Sequence, residues 1–185
     1  MNEPHDQGGW SAEFLDASRS DEAIDVLHES FHGYPVMRYV LVPDSARYDE
    51  HLRELIGFFV DARVHRGEPV LGIHDGGSVV ATAIVTLPGE RPSPPVLDRL
   101  RERLWRNLGR EARLRYEAMG SAVGSLLIDK PHYHLNMIGV RRSHAGRGCA
   151  RKLLDQIHEM SRDNPRSSGV TLSTETTENL SFYEH

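Results

Sequence analysis

The chain has 185 residues, 38% of them hydrophobic and 26% charged, with a formal net charge of -5. That length suits one domain with its own core, and the composition is that of a globular protein. The negative balance argues against a general nucleic-acid binder, and no apolar run approaches the roughly 20 residues that a membrane helix needs. The first ten residues are polar and hold no apolar signal core. The single cysteine, Cys149, excludes a disulfide framework within the chain and suits a reducing, cytoplasmic setting.

Taken in order, residues 1–9 read as a disordered lead-in and residues 10–185 as the folded domain. Residues 10–15 suit a short strand. Ser20, Asp21 and Glu22 suit a helix start, with a cap and acids in the first turn. Ile24, Leu27 and Phe31 follow at helical spacing, and Gly33 and Pro35 end that helix. Pro43 and Ser45 open a second helix, striped by Tyr48, Leu52, Leu55, Ile56, Phe59 and Val60 and closed near Gly67. Residues 70–74 and 79–87 form a hairpin, with Asp75-Gly76 supplying the positive φ of its turn. A proline-rich linker, 88–95, leads into a long inserted helix at about 95–119, with Leu97, Leu100, Leu104 and Leu108 on one side. Residues 134–140 form a strand, 146–148 a loop and 150–160 an amphipathic helix stopped by Asn164-Pro165. Residues 170–174 form a strand, and a last helix begins near Thr177. The order predicts an α/β fold, a mixed central sheet with helices on both faces, whose strand-helix-strand unit after residue 132 is parallel.

The chemistry concentrates where residues 134–140 lead through Arg141–Ala145 into Gly146-Arg147-Gly148-Cys149-Ala150 and a helix. Glycines there let the backbone approach a ligand closely. The first amides of a helix lack internal partners and carry the positive end of its dipole, which makes an anion site suited to a pyrophosphate. Arg147 and Arg151 add charge. The other reading of the same glycines is a tight strand-to-helix turn. The loop is neither a P-loop nor a dinucleotide fingerprint, since it lacks Gly-Lys-Ser/Thr and the third spaced glycine.

Ala145 to Ala150 resembles the Arg/Gln-x-x-Gly-x-Gly/Ala signature of the GNAT superfamily of N-acyltransferases, and residues 138–154 are similar to that family's cofactor motif in register. Asn179-Leu-Ser-Phe-Tyr183 resembles its downstream Asn-x-x-x-Tyr, one helix and one strand later. The likeness is strongest over 132–185. It implies acetyl-CoA, or a close acyl-CoA, as cosubstrate and an amine as acceptor. It implies that the backbone of Ile138, Gly139 and Val140 pairs with the pantetheine arm, and that the segment Ala145, Gly146, Arg147, Gly148, Cys149, Ala150, Arg151 holds the pyrophosphate. Asn179 would contact the cofactor, and Tyr183 would protonate the departing thiolate. A neutral amine would attack the thioester while a donor near Val140 steadies the oxyanion.

Three departures stand out. Ala145 occupies the position of the usual Arg or Gln. Asn136 occupies that of a frequent Glu and cannot accept a proton, which leaves His134, Glu175 or a water held by Asn136 as base. The strands that follow the tyrosine in the family are missing before His185, so the expectation is either a truncated chain or a sheet completed by a partner copy, as in a homodimer.

Other signals read more plainly. His28 and His32, and His132 and His134, have no evident third ligand, so no metal is expected. The arginines at 99, 101, 103, 106, 110, 113 and 115 alternate with acids and read as a solvated face, or else as a lid over an anionic acceptor or the CoA phosphates. Phe31, Tyr34, Tyr39 and Tyr48 read as core or as acceptor pocket, and Cys149 has no base to make it a nucleophile. The expected function is N-acetyl transfer to an amine, against an acyl-CoA sensor or a dimerisation domain; neither nucleic acid nor membrane is expected as partner.

Overall fold

The structure is a computed structural model and describes residues 9–42, 46–124, 128–179 and 183. The expected lead-in, apart from Gly9, and the proposed helix openers Pro43 and Ser45 lie outside the described residues.

Strand β1 (Glu13–Phe14) leads through a short 3-10 turn into helix α1 (Ser20–Phe31). The cap differs from expectation. Asp16 accepts from the Ser18 amide at 2.8 Å and starts the turn, so Ser20 enters the helix already wound. After Gly33 the chain forms a second helix that sequence reasoning missed, α2 (Pro35–Leu41), with Pro35 at its first position. Helix α3 (Tyr48–Arg66) ends on Gly67, whose amide bonds back into the last turn. Strands β2 (Val70–Asp75) and β3 (Ser78–Thr86) form the expected hairpin. Its positive-φ pair is Gly76-Gly77, while Asp75 stays on the strand opposite Ser78.

The inserted segment is two helices, not one. Helix α4 (Pro95–Leu108) breaks at Gly109 and α5 (Arg110–Gly124) follows. Leu104, Leu108 and Ala112 join the core with α1–α3, so the insert is packed structure. Arg101 and Asp98 pair at 2.9 Å, and Arg113 and Glu117 at 2.7 Å, as helical neighbours on a solvated face. Arg115 donates from Nε to the Val40 carbonyl at 2.9 Å and so ties α5 to the end of α2.

Strand β4 (Tyr133–Val140), helix α6 (Cys149–Asp163) and strand β5 (Val170–Leu172) complete the described fold. The sheet runs β1-β2-β3-β4-β5, antiparallel except for the parallel pair β4-β5. One core lies between the sheet and α1 and α3, and a second lies beneath α6.

Strand β4 departs from plain alternation. Ile84 pairs with Met137 and Val85 with Leu135, so Asn136 is an extra residue, a β-bulge. Tyr133 and Leu135 accordingly belong to the core under α6, whereas Met137 belongs to the core under α1 and α3. Past the bulge α1 lies close to β4. A Cβ on Gly139 would stand 2.6 Å from Ser30 Oγ and 3.2 Å from Leu27 Cδ2.

That contact gives a direct test. Gly139→Ala should overpack the α1–β4 seam and lower stability by about 1–3 kcal/mol in urea denaturation. Adding Ser30→Ala should recover part of the loss; unchanged stability in the single variant would contradict the packing described.

Candidate active site

Strand β5 pairs with β4 only at Tyr133↔Val170, His134↔Thr171 and Leu135↔Leu172. Beyond the Asn136 bulge β4 continues to Val140 on β3, with no β5 residue opposite it. A cleft of about 1010 Å³ opens along this unpaired edge. Ile138, Gly139, Val140, Ala145 and Ala150 line one part of it, Glu175, Asn179 and Tyr183 another, and His134 and Asn136 its floor.

The loop at the cleft's end has the backbone that the glycines call for. Gly146 (φ 75°) and Gly148 (φ 83°) are left-handed, and no side chain caps α6. The Arg147 amide donates to the His144 carbonyl at 3.3 Å and so belongs to the turn. Among the described residues the amides of Gly146, Gly148 and Ala150 reach no protein acceptor. The loop is therefore a tight turn and an open set of donors at once. Ala150 and Ala145 face the cleft, whereas Cys149 is buried and burial pushes its thiol pKa up.

Side chains that sequence reasoning passed over hold this geometry. The Glu29 carboxylate accepts from the Arg142 amide at 2.7 Å and from Arg141 Nη1 at 3.0 Å, which fixes the exit of β4. The Arg142 amide, then burial opposing it, then the Arg141 side chain set its pKa, and the net direction is down. Ser30 Oγ donates to the Val140 carbonyl at 3.2 Å. Asp75 meets His144 Nε2 at 3.0 Å, and Trp10 lies against that imidazole at a centroid distance of 5.6 Å.

Tyr34 bridges the mouth. Its hydroxyl lies 3.3 Å from Thr174 Oγ1 and accepts from the Glu175 amide at 3.1 Å, linking the α1–α2 turn to the end of β5. Asn179 Nδ2 donates to the same threonine at 3.2 Å. Burial, and then the nearby Tyr34, raise the pKa of Tyr183, so its phenol stays protonated.

At the floor, Asn136 Oδ1 accepts from Arg63 Nε at 3.1 Å and from Thr86 Oγ1 at 2.9 Å. Arg63 and Glu68 form a buried pair at 3.4 Å, with side chains 10% and 3% exposed. Burial lowers the Arg63 pKa and the Glu68 carboxylate opposes that. His134 Nδ1 lies 2.9 Å from Thr171 Oγ1. Burial, then His132, then Arg63 lower its pKa, which keeps the imidazole neutral at pH 7. Glu175, the other expected base, is exposed at the mouth. His28 Nε2 and His32 Nε2 both approach Asp49 Oδ1, at 3.1 and 3.5 Å.

The cleft's far wall comes from α2, α3 and the insert. Tyr116, Met119 and Gly120 of α5 face it, with Phe59 stacked on Tyr116 at 6.1 Å. The insert thus presents uncharged side chains to the cleft, together with the buried Arg63 of α3. Of the four aromatics singled out earlier, Phe31 and Tyr34 line the cleft, Tyr48 is core and Tyr39 is exposed.

Among the described residues no helix is long and apolar enough to cross a membrane, and no group of three His, Cys, Asp or Glu is arranged to hold a metal. A search of curated proteins finds no match. Solved structures do match. A protein from Corynebacterium glutamicum ATCC 13032, described as histone acetyltransferase HPA2 and related acetyltransferase, superposes with a TM-score of 0.65 at 17% identity over 95% of this chain and 82% of that one. Mosquito arylalkylamine N-acetyltransferase like 5b gives 0.58 at 12% identity, over 95% and 81%. Aminoglycoside N-acetyltransferase AAC(6')-Iy in complex with CoA gives 0.53 at 11% identity, over 95% and 82%. At these identities the likeness is one of fold. The sequence model of the acetyltransferase (GNAT) family matches residues 24–185, nearly the whole described sheet and both motifs, and the chain belongs to that family.

Proposed function

We propose that the chain transfers an acetyl group from acetyl-CoA to an amine by direct attack on the thioester. The carrying observation is the parting of β4 from β5 beside the uncapped start of α6. An extended pantetheine arm can pair with the open edge at Ile138, Gly139 and Val140 as an added strand. The free amides of Gly146, Gly148 and Ala150 suit the pyrophosphate, with Arg147 and Arg151 nearby in sequence. Ala145 offers no side-chain donor, so main-chain groups carry more of the anion binding than in relatives with Arg or Gln there. The residues present thus fit the cosubstrate, and the CoA-bound neighbour of the same fold supports its identity.

The roles follow from chemistry and position. His134 takes the proton of the attacking amine, because burial keeps it neutral and it faces the cleft. Tyr183 gives a proton to the departing thiolate, because it remains a phenol well above neutral pH. Asn179, on the cleft wall, contacts the cofactor near its pantetheine arm. Glu175 is the alternative base at the mouth. A second reading is an acyl-CoA sensor without turnover, and Asn136 favours it, since its oxygen is already occupied by Arg63 and Thr86.

Thiol release with acetyl-CoA and an amine panel separates these readings. Tyr183→Phe should lower kcat by about 10²–10⁴-fold, with acetyl-CoA affinity changed little; turnover unaffected by that change would remove Tyr183 from the reaction. Gly148→Glu places a carboxylate among the amides and should abolish cofactor binding by calorimetry while circular dichroism stays native.

The pH profile assigns the base. A histidine with a lowered pKa is neutral down to below its ordinary value of about 6.5, so the acid limb of kcat should fall below that point. His134→Gln should erase that limb and slow the reaction. If the limb persists in His134→Gln and disappears in Glu175→Gln, the base is Glu175.

A further inference from the structure

The acceptor end of the cleft holds donors and an apolar wall, and this combination defines a class of molecule. Arg63 spends only Nε on protein partners, Asn136 Oδ1 and Glu68. Among the described residues neither of its Nη nitrogens has a hydrogen-bond partner, although the side chain is only 10% exposed. Two donors on Asn136 Oδ1 orient that amide, and its Nδ2 is left without a partner among the described residues. Arg63 and Asn136 both line the cleft. These donors open onto the cleft rather than into the core, so a ligand seated there can take them in place of solvent.

No described carboxylate opposes them inside the cleft. Of the lining acids, Glu29 is engaged by Arg141 and Arg142, and Glu175 is exposed at the mouth. Glu68 balances the charge of Arg63 from the Nε side and is not part of the lining. A polycationic acceptor would meet a guanidinium here with nothing to attract it. Beside these donors stand Met37, Val40, Leu55, Phe59, Tyr116 and Met119, an apolar and aromatic surface.

Building on the acetyl-transfer reading above, we propose that the acceptor is an α-amino acid, or a closely related amino carboxylate, with an apolar or aromatic side chain. Its carboxylate sits on Arg63 Nη and Asn136 Nδ2, two adjoining donor groups that can each meet one oxygen. Its side chain lies on the Phe59–Tyr116 wall. Amine and carboxylate are held on one carbon in such a molecule, and His134 and Asn136 stand two residues apart on the same strand, so both ends can be met at once. The nitrogen forms the C–N bond to the acetyl carbon and the C–S bond breaks. One amine proton passes to His134, and the thiolate takes a proton from Tyr183. The products are the N-acetyl amino acid and free CoA.

The test uses the full chain and matched acceptors. Thiol release and product mass are measured for L-phenylalanine against phenethylamine and for L-leucine against isoamylamine, with L-glutamate and spermidine as polar and cationic comparators. Acetyl-CoA binding is measured separately by calorimetry. The expected result is a preference of at least about tenfold in kcat/KM for each amino acid over its decarboxylated partner. That ratio should collapse toward unity in Arg63→Gln/Glu68→Gln, a double change that leaves no unpaired buried charge. Acetyl-CoA binding with equal or faster turnover of the simple amines, or of spermidine, overturns this inference and leaves acetyl transfer standing. Acetyl-CoA binding with no amino acid acetylated does the same. Absence of acetyl-CoA binding overturns both.

Discussion

The rest of the structure depends on how β4 is held. One of its edges is paired with β3 from His134 to Val140 around the Asn136 bulge, while the other is paired with β5 only as far as Leu135. A strand edge with open amides and carbonyls is ordinarily a hazard, and proteins cover or break it. Here the bulge at Asn136 turns the strand, and Gly139 brings the far half within reach of Ser30 on α1. Tyr34 ties the α1–α2 turn to the end of β5 across the gap. The opening is therefore braced from both sides, and the edge faces the cleft.

The α6 amides extend the same arrangement. Glu29 pins the residue that leaves β4, so the strand end and the helix start are fixed relative to each other. His144 and Asp75 clasp the outer side of the loop. In the proposed reading, one continuous stretch, residues 137–150, would meet both the acyl end and the phosphate end of the cofactor. Most of that stretch would act through its main chain, so the proposal does not depend on a side-chain donor at Ala145.

Much of this was legible in the sequence. The glycine pair before an amphipathic helix pointed to the left-handed loop and uncapped helix start, and Asn179 and Tyr183 both fall on the cleft wall. The hairpin and the parallel strand-helix-strand unit followed from alternation and helical stripes. What was not legible has physical causes. Alternation along 133–140 cannot reveal a bulge, because the extra residue shows only in pairing with Ile84 and Val85. Helix α2 is seven residues long and sits behind a proline that otherwise reads as a stop. The break at Gly109 was hidden by apolar residues on either side that keep helical spacing. Nothing in the sequence marks Arg63 for burial. Its partner Glu68 lies just beyond the Gly67 cap, outside any helical pairing rule, and only the fold buries the two together. The fold itself leaves the acceptor open, since one architecture serves many substrates.

The central claim is that the open edge of β4 and the start of α6 receive the acyl-CoA. Backbone hydrogen exchange, followed by mass spectrometry with and without acetyl-CoA, reads those amides directly. The account predicts slowed exchange in peptides covering 137–140 and 146–150, with the α4–α5 insert changed little. Protection confined to the arginine-rich insert, or none along β4 at saturating acetyl-CoA, would contradict it.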